Sequence, residues 1–196
     1  MNKAYTSFKN FIAPFGLNES EFKTLITYCE VVQFKKGEYL MTEGEKQSKL
    51  YYLYKGLIRY FIETNDGEIH TYGFRMENSL ITGYAQHNNK NEYRAEVSIE
   101  CLEECELIEI PYIATMYMES NSLNAHKVAR YLAETHIIEL VQFIKELDTK
   151  SIFERYYDLE NTYPGIQQRA TQKVIASYLR TTPVHLSRIK KSKFKS

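Results

Sequence analysis

Short runs of apolar residues, separated by glycine-containing turn signals, fill the chain between residues 29 and 111. The runs are rich in Val, Ile, Tyr and Phe, and many short runs at this spacing predict the strands of a barrel or roll. The strongest hairpin signal is Asp66-Gly67, which lies between the strand-like runs 57–62 and 69–74, because glycine tolerates the positive φ of a tight turn. We therefore predict a β-roll over this region.

Helical periodicity lies on either side of the roll. Residues 19–29 predict a short helix that is capped by Asn18 or Ser20. Residues 121–147 keep a helical period with neither Pro nor Gly. The apolar side of this longer helix consists of two stripes, Val128, Tyr131, Thr135, Ile138 and Val141 on one and Ala129, Ala133, Ile137, Leu140, Ile144 and Leu147 on the other. One stripe is enough to dock a helix on its own domain, so two stripes favour a helix that packs on the roll and on its twin in a dimer. Burial on all sides by its own chain is the alternative.

A separate C-terminal unit is predicted after residues 148–150, where the long helix stops. Ser151 and Glu154 have the spacing of a capping box, in which the hydroxyl accepts an amide three residues on and the carboxylate reaches back. The helix that they start is expected to run to about Asn161. The Tyr-Pro-Gly connector at 163–165 cannot continue it.

This C-terminal unit is strongly basic, although the whole chain has a formal net charge of zero. Residues 169–196 carry eight basic and no acidic side chains, whereas the preceding 168 residues carry 17 basic and 25 acidic ones. Such an asymmetry suggests a module that meets a polyanion, because lysine and arginine bound to phosphates release condensed counterions. A solvated lysine tail is the alternative interpretation.

The basic segment also has the spacing of a helix-turn-helix over residues 171–191. Ala176 stands where two helices would cross closely, the turn follows at Arg180, and Leu186 and Ile189 are spaced to face the first helix. A plain helical hairpin would share this spacing, but it would not explain a basic segment without acidic residues. We therefore predict DNA binding.

The second helix of the motif has the features of a recognition helix. Thr182 can cap it, and Pro183 suits its first position, where no amide hydrogen is needed. About nine residues, roughly 13 Å at 1.5 Å per residue, fit a major groove about 12 Å wide. Arg188 is expected to reach the acceptors of guanine from the exposed face. The candidate DNA-binding residues are Thr171, Gln172, Thr182, Val184, His185, Ser187, Arg188, Lys190 and Lys191.

These motifs resemble those of the Crp/Fnr family of transcription regulators, in the same order along nearly the whole chain. Residues 36–40 (KGEYL), 43–44 (EG) and 51–59 (YYLYKGLIR) are similar to the opening strands of that family's cyclic-nucleotide-binding β-roll. Residues 175–179 (IASYL) and 182–191 (TPVHLSRIKK) are similar to its helix-turn-helix, above all in short members of the family.

The resemblance implies an α+β chain of three parts. Residues 1–120 would form an effector domain, a double-stranded β-helix of the cyclic-nucleotide-binding type. Residues 121–150 would form a dimerisation helix and hinge, and residues 151–196 would form the helix-turn-helix domain. The implied partners are double-stranded DNA, a second copy of the chain through residues 121–147, RNA polymerase and a small-molecule effector of unknown identity.

Two departures from the family concern DNA binding. The family's usual glycine in the turn is Arg180 here, which would hold a left-handed conformation at a cost of about 1 kcal/mol or more unless the turn is remodelled. No residues follow the recognition helix to form the family's usual wing hairpin. We expect Lys190, Lys191, Lys193 and Lys195 to replace its phosphate contacts.

The segment that would hold an effector departs as well. Family members that bind cyclic AMP carry Gly-Glu on a short helix and, further on, Arg followed by Ser or Thr and Ala. Gly83 and Arg94 match this pattern, but Tyr84 replaces the carboxylate and Ala95 replaces the hydroxyl. Glu96 points to the same face of a strand as Arg94, so a simple ion pair between them is the alternative to an effector site. We therefore expect an effector other than cyclic AMP.

Other chemistry finds little support in the sequence. The three cysteines are expected to be reduced structural thiols, and the five histidines lack metal-ligand spacing. No Walker loop or nucleophile elbow is present, so we predict no catalytic residues, no metal and no cofactor. No apolar run reaches the roughly 18 to 20 residues of a spanning helix, which favours a cytoplasmic protein without membrane contact. The alternative function is a ligand-sensing module that acts through protein partners without binding DNA.

Overall fold

The structure is a computed structural model that describes residues 2–82 and 94–193, with side chains through Lys191. The N-terminal segment contains α1 (Lys3–Ile12), a 3-10 turn (Ala13–Phe15) and α2 (Glu19–Ile26). The strands are β1 (Glu30–Phe34), β2 (Tyr39–Met41), β3 (Lys49–Lys55), β4 (Ile58–Glu63), β5 (Ile69–Arg75), β6 (Ser79–Ile81), β7 (Ser98–Cys101) and β8 (Cys105–Pro111). The remaining helices are α3 (Tyr112–Asn121), α4 (Leu123–Thr149), α5 (Ile152–Thr162), α6 (Ile166–Arg169), α7 (Gln172–Tyr178) and α8 (Pro183–Lys193).

Two antiparallel sheets form the β-roll that the sequence predicts. Their strand orders are β1-β8-β3-β6 and β2-β7-β4-β5. Because side chains alternate along each strand, one face of each sheet turns inward. The enclosed interior contains Tyr51, Leu53, Ile58, Ile99 and Leu107. The predicted fold class, α+β with an N-terminal roll followed by helices, is confirmed.

The predicted hairpin joins β4 and β5, but its loop is wider than a two-residue turn. The amide of Gly67 donates to the carbonyl of Thr64 at 2.9 Å, and the amide of Thr64 donates to the carbonyl of Glu68 at 2.9 Å. Gly67 has a φ of +82°, the conformation for which glycine was expected here. The hairpin positions β5, and the C-terminal unit packs against this strand.

Helices cover the outer face of the sheet that contains β3 and β8. Tyr52 and Ile108, which alternate with the interior residues, pack there against Phe8 of α1 and Phe22 of α2. The sequence analysis did not predict α1. The predicted cap of α2 is Asn18 rather than Ser20, and the helix ends at Ile26 rather than at residue 29.

The long helix α4 begins two residues later than predicted and is separate from α3. Ser122 has an extended backbone, with φ −142° and ψ 118°, and its hydroxyl accepts the amide of Ala125. The helix then runs to Thr149 and exposes most of its apolar side chains. Among the described residues, the alternative that its own chain buries the helix on all sides is therefore wrong. Its exposed large apolar residues are Leu123, Tyr131, Ile137, Ile138, Leu140, Val141 and Ile144.

The C-terminal helices form a unit that packs on the roll. The predicted capping box is present, because Ser151 accepts the amide of Glu154 and the Glu154 carboxylate accepts the amide of Ser151. The apolar core of the unit continues into the roll through Leu57, Phe74 and Leu102. Cys29, Cys101 and Cys105 are free and buried. Within the described ranges no helix is both long and apolar enough to cross a bilayer.

Candidate nucleic-acid interface and effector site

The crossing of α7 and α8 has the small and apolar residues that the sequence analysis placed there. Thr171 caps α7 by accepting the amide of Val174 at 3.3 Å. Ala176 is fully enclosed, and Leu186 and Ile189 of α8 are buried with it. These contacts fix α8 against α7 and leave the opposite face of α8 outside the core.

The turn between the two helices contains the left-handed arginine that the sequence analysis predicts. Arg180 has a φ of +55°. The amide of Thr181 donates to the carbonyl of Ala176 at 2.9 Å, and the amide of Arg180 donates to the carbonyl of Ser177 at 3.2 Å. These bonds satisfy the last carbonyls of α7 and let the chain reverse within a few residues.

The second helix, α8, starts as predicted at Pro183. The Thr182 hydroxyl accepts the amide of His185 at 3.2 Å, which caps the helix. The predicted DNA-binding residues Thr171, Gln172, Thr182, Val184, His185, Arg188 and Lys191 are exposed, whereas Ser187 and Lys190 are half-buried. The exposed set Val184, His185, Arg188 and Lys191 forms one side of α8, which we name the recognition face.

Arg169, the first cation of the basic segment, points into the protein. Its guanidinium donates to both carboxylate oxygens of Glu77, at 2.6 and 3.1 Å, and to both of Glu103, at 2.6 and 3.2 Å. The hydrogen bonds that Arg169 donates to the two carboxylates raise its pKa above its ordinary value. Glu77 follows β5 and Glu103 lies between β7 and β8, so this ion-pair cluster joins the C-terminal unit to the roll.

Ser177 of α7 makes a second polar contact with the roll. Its hydroxyl donates to the carbonyl of Ile69 at 2.5 Å and accepts the amide of Thr71 at 2.9 Å. The side chain therefore pairs with backbone groups of β5, the edge strand of its sheet. Helix α7 is anchored on the roll by these bonds as well as by apolar contacts.

Arg180 also points inward, toward aromatic rings rather than carboxylates. Its guanidinium carbon lies 5.1 Å from the ring centroid of Tyr72 and 5.9 Å from that of Phe143. Tyr72 belongs to the roll and Phe143 to α4, so the turn of the helix-turn-helix contacts both the roll and α4. Two of the eight cations in the basic segment are thus used within the protein.

The predicted effector residues are only partly within the described chain. Gly83 and Tyr84 lie outside the described residues. Ala95 is buried, and its amide donates to the carbonyl of Glu45 at 2.9 Å. The Arg94 guanidinium is exposed and donates to the carbonyl of Gly44 at 2.8 Å. The alternative of an Arg94–Glu96 ion pair is wrong among the described residues, because the guanidinium bonds to backbone instead.

A cavity of about 670 Å³ lies where the roll, α4 and the C-terminal unit meet, and we name it the central cavity. Its aromatic walls are Tyr60 and Tyr72 from the roll, Phe143 from α4, and Tyr163 and Tyr178 from the C-terminal unit. Its charged lining residues are Glu43, Arg75, Glu96, Glu139 and Glu146.

The charges of the central cavity are partly paired already. Arg75 forms an ion pair with Glu139, and Glu139 lies 3.5 Å from the ring of His136. Burial lowers the pKa of His136, so the ring favours its neutral form. Burial opposes ionisation of Glu139, but hydrogen bonding to His136 and the charge of Arg75 outweigh it and lower its pKa. The cavity therefore presents Glu139 in its ionised form and an arginine that already has a partner.

The sequence analysis missed the groups that join the C-terminal unit to the roll. Arg169 was counted only in the charge of the basic segment, whereas the structure pairs this residue with carboxylates 92 and 66 positions away. No local spacing rule connects such distant residues. The one available signal is the cluster of glutamates near residue 103. In the described part of the chain no group of three or more metal-ligating side chains is present.

Comparison with known proteins agrees with this geometry. Residues 31–117 match the family model of the cyclic nucleotide-binding domain. No curated protein sequence matches the chain. Many solved structures are similar in fold.

Three of these structures span nearly the whole chain. A protein from Eubacterium rectale described as a transcriptional regulator of the Crp/Fnr family has 18% identity and a TM-score of 0.73, covering 90% of this chain and 83% of that one. FixK2 from Bradyrhizobium japonicum has 12% identity and a TM-score of 0.73, covering 85% of each chain. The c-di-GMP responsive regulator CLP from Xanthomonas campestris has 13% identity and a TM-score of 0.71, covering 91% and 92%. At these identities the likeness establishes the fold.

Proposed function

We propose that this chain, with a cyclic-nucleotide-binding domain at residues 31–117 and the fold of Crp/Fnr regulators, is a dimeric DNA-binding transcription regulator. The observation that carries the proposal is the recognition face of α8. This face is exposed and basic, while the opposite face of the same helix is buried in the unit. A helix held in this way can enter a major groove without rearrangement of its own core.

The dimensions and side chains of α8 suit sequence reading. Eleven residues give a helix of roughly 16 Å at 1.5 Å per residue, and the major groove is about 12 Å wide. Arg188 and His185 supply hydrogen-bonding groups for base edges, Val184 supplies an apolar contact, and Lys191 supplies a phosphate contact. Thr171 and Gln172, at the exposed N-terminus of α7, are suited to contact the phosphate backbone on the other side of the groove.

We assign the exposed large apolar side chains of α4 to a second copy of the chain. Ile137, Ile138 and Val141 are each more than half exposed. Neighbouring exposed apolar side chains on one helix are typical of a surface that is buried by a partner. If two such helices pair in parallel, the dimer presents two recognition helices. Dimeric helix-turn-helix proteins bind half-sites about 34 Å apart, and we expect the same spacing here.

The dimer is testable with one substitution and one matched control. Ile138→Glu places a charge on a stripe, whereas Leu123→Glu places the same charge at the exposed start of α4, off both stripes. Sedimentation analysis is expected to show a dimer for the parent and for Leu123→Glu, and a monomer for Ile138→Glu. A monomeric parent, or equal effects of the two changes, would contradict the dimer.

We also propose that the effector is not cyclic AMP. Burying a cyclic phosphate requires a free cation and several donors, since desolvation otherwise outweighs attraction. Among the described residues Arg75 is paired with Glu139, and Ala95 provides no hydroxyl. Arg94 keeps its charge and donates to the carbonyl of Gly44, so one exposed cation remains without the hydroxyl donor beside it. Calorimetry is expected to show no binding of cyclic AMP or cyclic GMP at micromolar concentration. Binding that Arg94→Ala abolishes would overturn this part of the proposal.

Selection from random DNA with the full chain tests the main proposal. We expect enrichment of a two-fold symmetric motif, bound in a mobility-shift assay by the parent and by Lys36→Ala, which removes one exposed lysine from the roll. The double variant Arg188→Ala/Lys191→Ala is expected to lose this binding. Without an enriched motif, the ligand-sensing module that acts through protein partners would replace DNA binding as the function.

A further inference from the structure

We propose that a second cavity, about 250 Å³ in volume and separate from the central cavity, binds a small uncharged apolar molecule. We name it the helix-side cavity, because it lies between α1, the outer face of the β3 and β8 sheet, and the first half of α4. Its position differs from that of the central cavity, which borders the second half of α4 from His136 to Glu146. The inference concerns binding alone and does not depend on the proposed DNA-binding function.

Short side chains on α4 create the space. Ala125, Ala129 and Ala133 recur every four residues, so they lie on one face of the helix and all line the cavity. Phe8 and Leu50 also line the cavity, from α1 and β3. Protein interiors are normally packed to crystal-like density, with few voids larger than a water molecule. An opening of this size between packed elements therefore needs an explanation.

The size of the cavity sets the size of its occupant. An engineered apolar cavity of about 150 Å³ stays dry and binds benzene. The helix-side cavity is larger, so it accommodates a molecule larger than a single aromatic ring, such as a medium-length aliphatic alcohol. Water is a poor occupant, since most of the lining offers no hydrogen-bonding partner.

The lining determines the chemical class of the occupant. Thr82, Tyr112, Thr115 and Glu119 are its polar residues, and the other lining residues are apolar. No lysine, arginine or histidine lines it among the described residues, so a buried anion would have no compensating cation. Burial raises the pKa of Tyr112, which therefore stays a neutral phenol. We infer an apolar body with at most one uncharged polar group, which would lie toward the tyrosine and threonines.

Two probes of equal chain length, one with a neutral and one with a charged head group, test this class. n-Octanol and octanoate have the same chain length, but octanoate carries a carboxylate at neutral pH. With the full chain, calorimetry and thermal unfolding are expected to show binding of n-octanol and at least tenfold weaker binding of octanoate. Equal affinity for the two probes, or no binding of n-octanol, would overturn the proposal.

Two matched variants locate the binding site. Ala129→Leu fills the cavity from α4, whereas His126→Leu adds a leucine on the exposed side of the same turn. We expect Ala129→Leu to weaken n-octanol binding at least tenfold and His126→Leu to leave it unchanged. Unchanged binding by a folded Ala129→Leu protein would contradict the site.

A measurement on the parent protein covers the case in which Ala129→Leu does not fold. Methyl NMR spectra of the unmodified chain are expected to show shifts on addition of n-octanol at Ile12, Leu25 and Leu132, which line the cavity. Shifts confined instead to the exposed Ile137, Ile138 and Val141 would assign binding to the surface of α4 and overturn the inference.

Discussion

The cations of the C-terminal segment fall into an inward set and an outward set that do different work. Arg169 and Arg180 point into the protein, where Arg169 bonds to two carboxylates and Arg180 lies beside two aromatic rings. Arg188 and Lys191 face solvent, with no partner among the described residues. All four residues contribute equally to the net charge. Their positions show that Arg169 and Arg180 attach the C-terminal unit, whereas Arg188 and Lys191 are available to a ligand.

The difference shows that a charge count overstates the surface available to a polyanion. A guanidinium that already bonds to two carboxylates cannot also neutralise a phosphate unless that attachment breaks. The outward set within the described chain is Lys173, Arg188, Lys190 and Lys191, of which Lys190 is half-buried beside the Tyr156 ring. Each prediction below measures one side of this division.

The largest expected effect is the salt dependence of DNA binding, which reports the outward set. About four phosphates neutralised per subunit give a slope of roughly −7 for log K against log salt, at ~0.9 per phosphate. Raising salt fourfold should therefore weaken binding by about ten thousandfold. Mobility shifts over a salt series measure the slope, and a slope near zero would contradict an electrostatic interface.

The same salt series also distinguishes the two sets. Lys191→Ala is expected to make the slope shallower by about 1, as for any lost phosphate contact. Arg169→Ala, which removes an inward cation, is expected to leave the slope unchanged. A shallower slope in Arg169→Ala would move this residue to the outward set.

The second prediction tests the inward set through stability. Arg169→Ala leaves Glu77 and Glu103 close together without their shared cation. Breaking a fully buried pair costs about 3–5 kcal/mol, and because these carboxylates are about one-third exposed we expect about 2 kcal/mol. Chemical unfolding measures the loss, with Lys173→Ala, which removes an exposed cation four residues further along the chain, as a control near zero. Equal losses in the two variants would show that Arg169 makes no special contribution.

The third prediction concerns sequence reading by the outward set. Arg188→Ala removes a guanidinium that can contact guanine, so affinity for the selected site should fall by about 1–3 kcal/mol. Repeating the selection with the variant should relax the preference at one base pair in each half-site. If the base preference is unchanged, Arg188 contacts only phosphate.

The fourth prediction concerns the pH dependence of the inward set. Burial opposes ionisation of Glu77, but hydrogen bonds from Arg169 and from the amide of Gly56 outweigh it and lower the pKa of Glu77. A carboxyl whose pKa is lower in the folded state stabilises that state above its unfolded pKa of about 4.3, and the contribution is lost as pH falls through the folded pKa. The stability difference between the parent and Arg169→Ala should therefore shrink on acidification below about pH 4. A difference that is constant from neutral to acid pH would contradict this role.

How far the sequence predicted the molecule depends on whether the determining contacts were local. Turn glycines, capping boxes and the small residue Ala176 are local signals, and the roll, α5 and the helix-turn-helix were predicted from them. The cluster around Arg169 and the contact of Ser177 with Ile69 join residues far apart in sequence, so no spacing rule identifies them. The helix-side cavity was missed for the same reason, because Ala129 and Ala133 were interpreted only as part of an apolar stripe of a helix that packs on the roll and on a second copy.

The smallest expected effect comes from Arg180, where backbone and side chain act in opposite directions. The left-handed backbone costs a non-glycine residue about 1 kcal/mol, and Arg180 Nη1 is buried with no hydrogen-bond partner among the described residues. Stacking on Tyr72 and Phe143 offsets this by roughly 0.5–2 kcal/mol.

Arg180→Gly removes all of these contributions, so its stability should lie within about 1 kcal/mol of the parent. Arg180→Ala loses the stacking but keeps the backbone strain, so it should be about 1 kcal/mol less stable than Arg180→Gly. Chemical unfolding of the two variants isolates the backbone contribution, and an alanine variant as stable as the glycine variant would show that the turn relaxes out of the left-handed conformation.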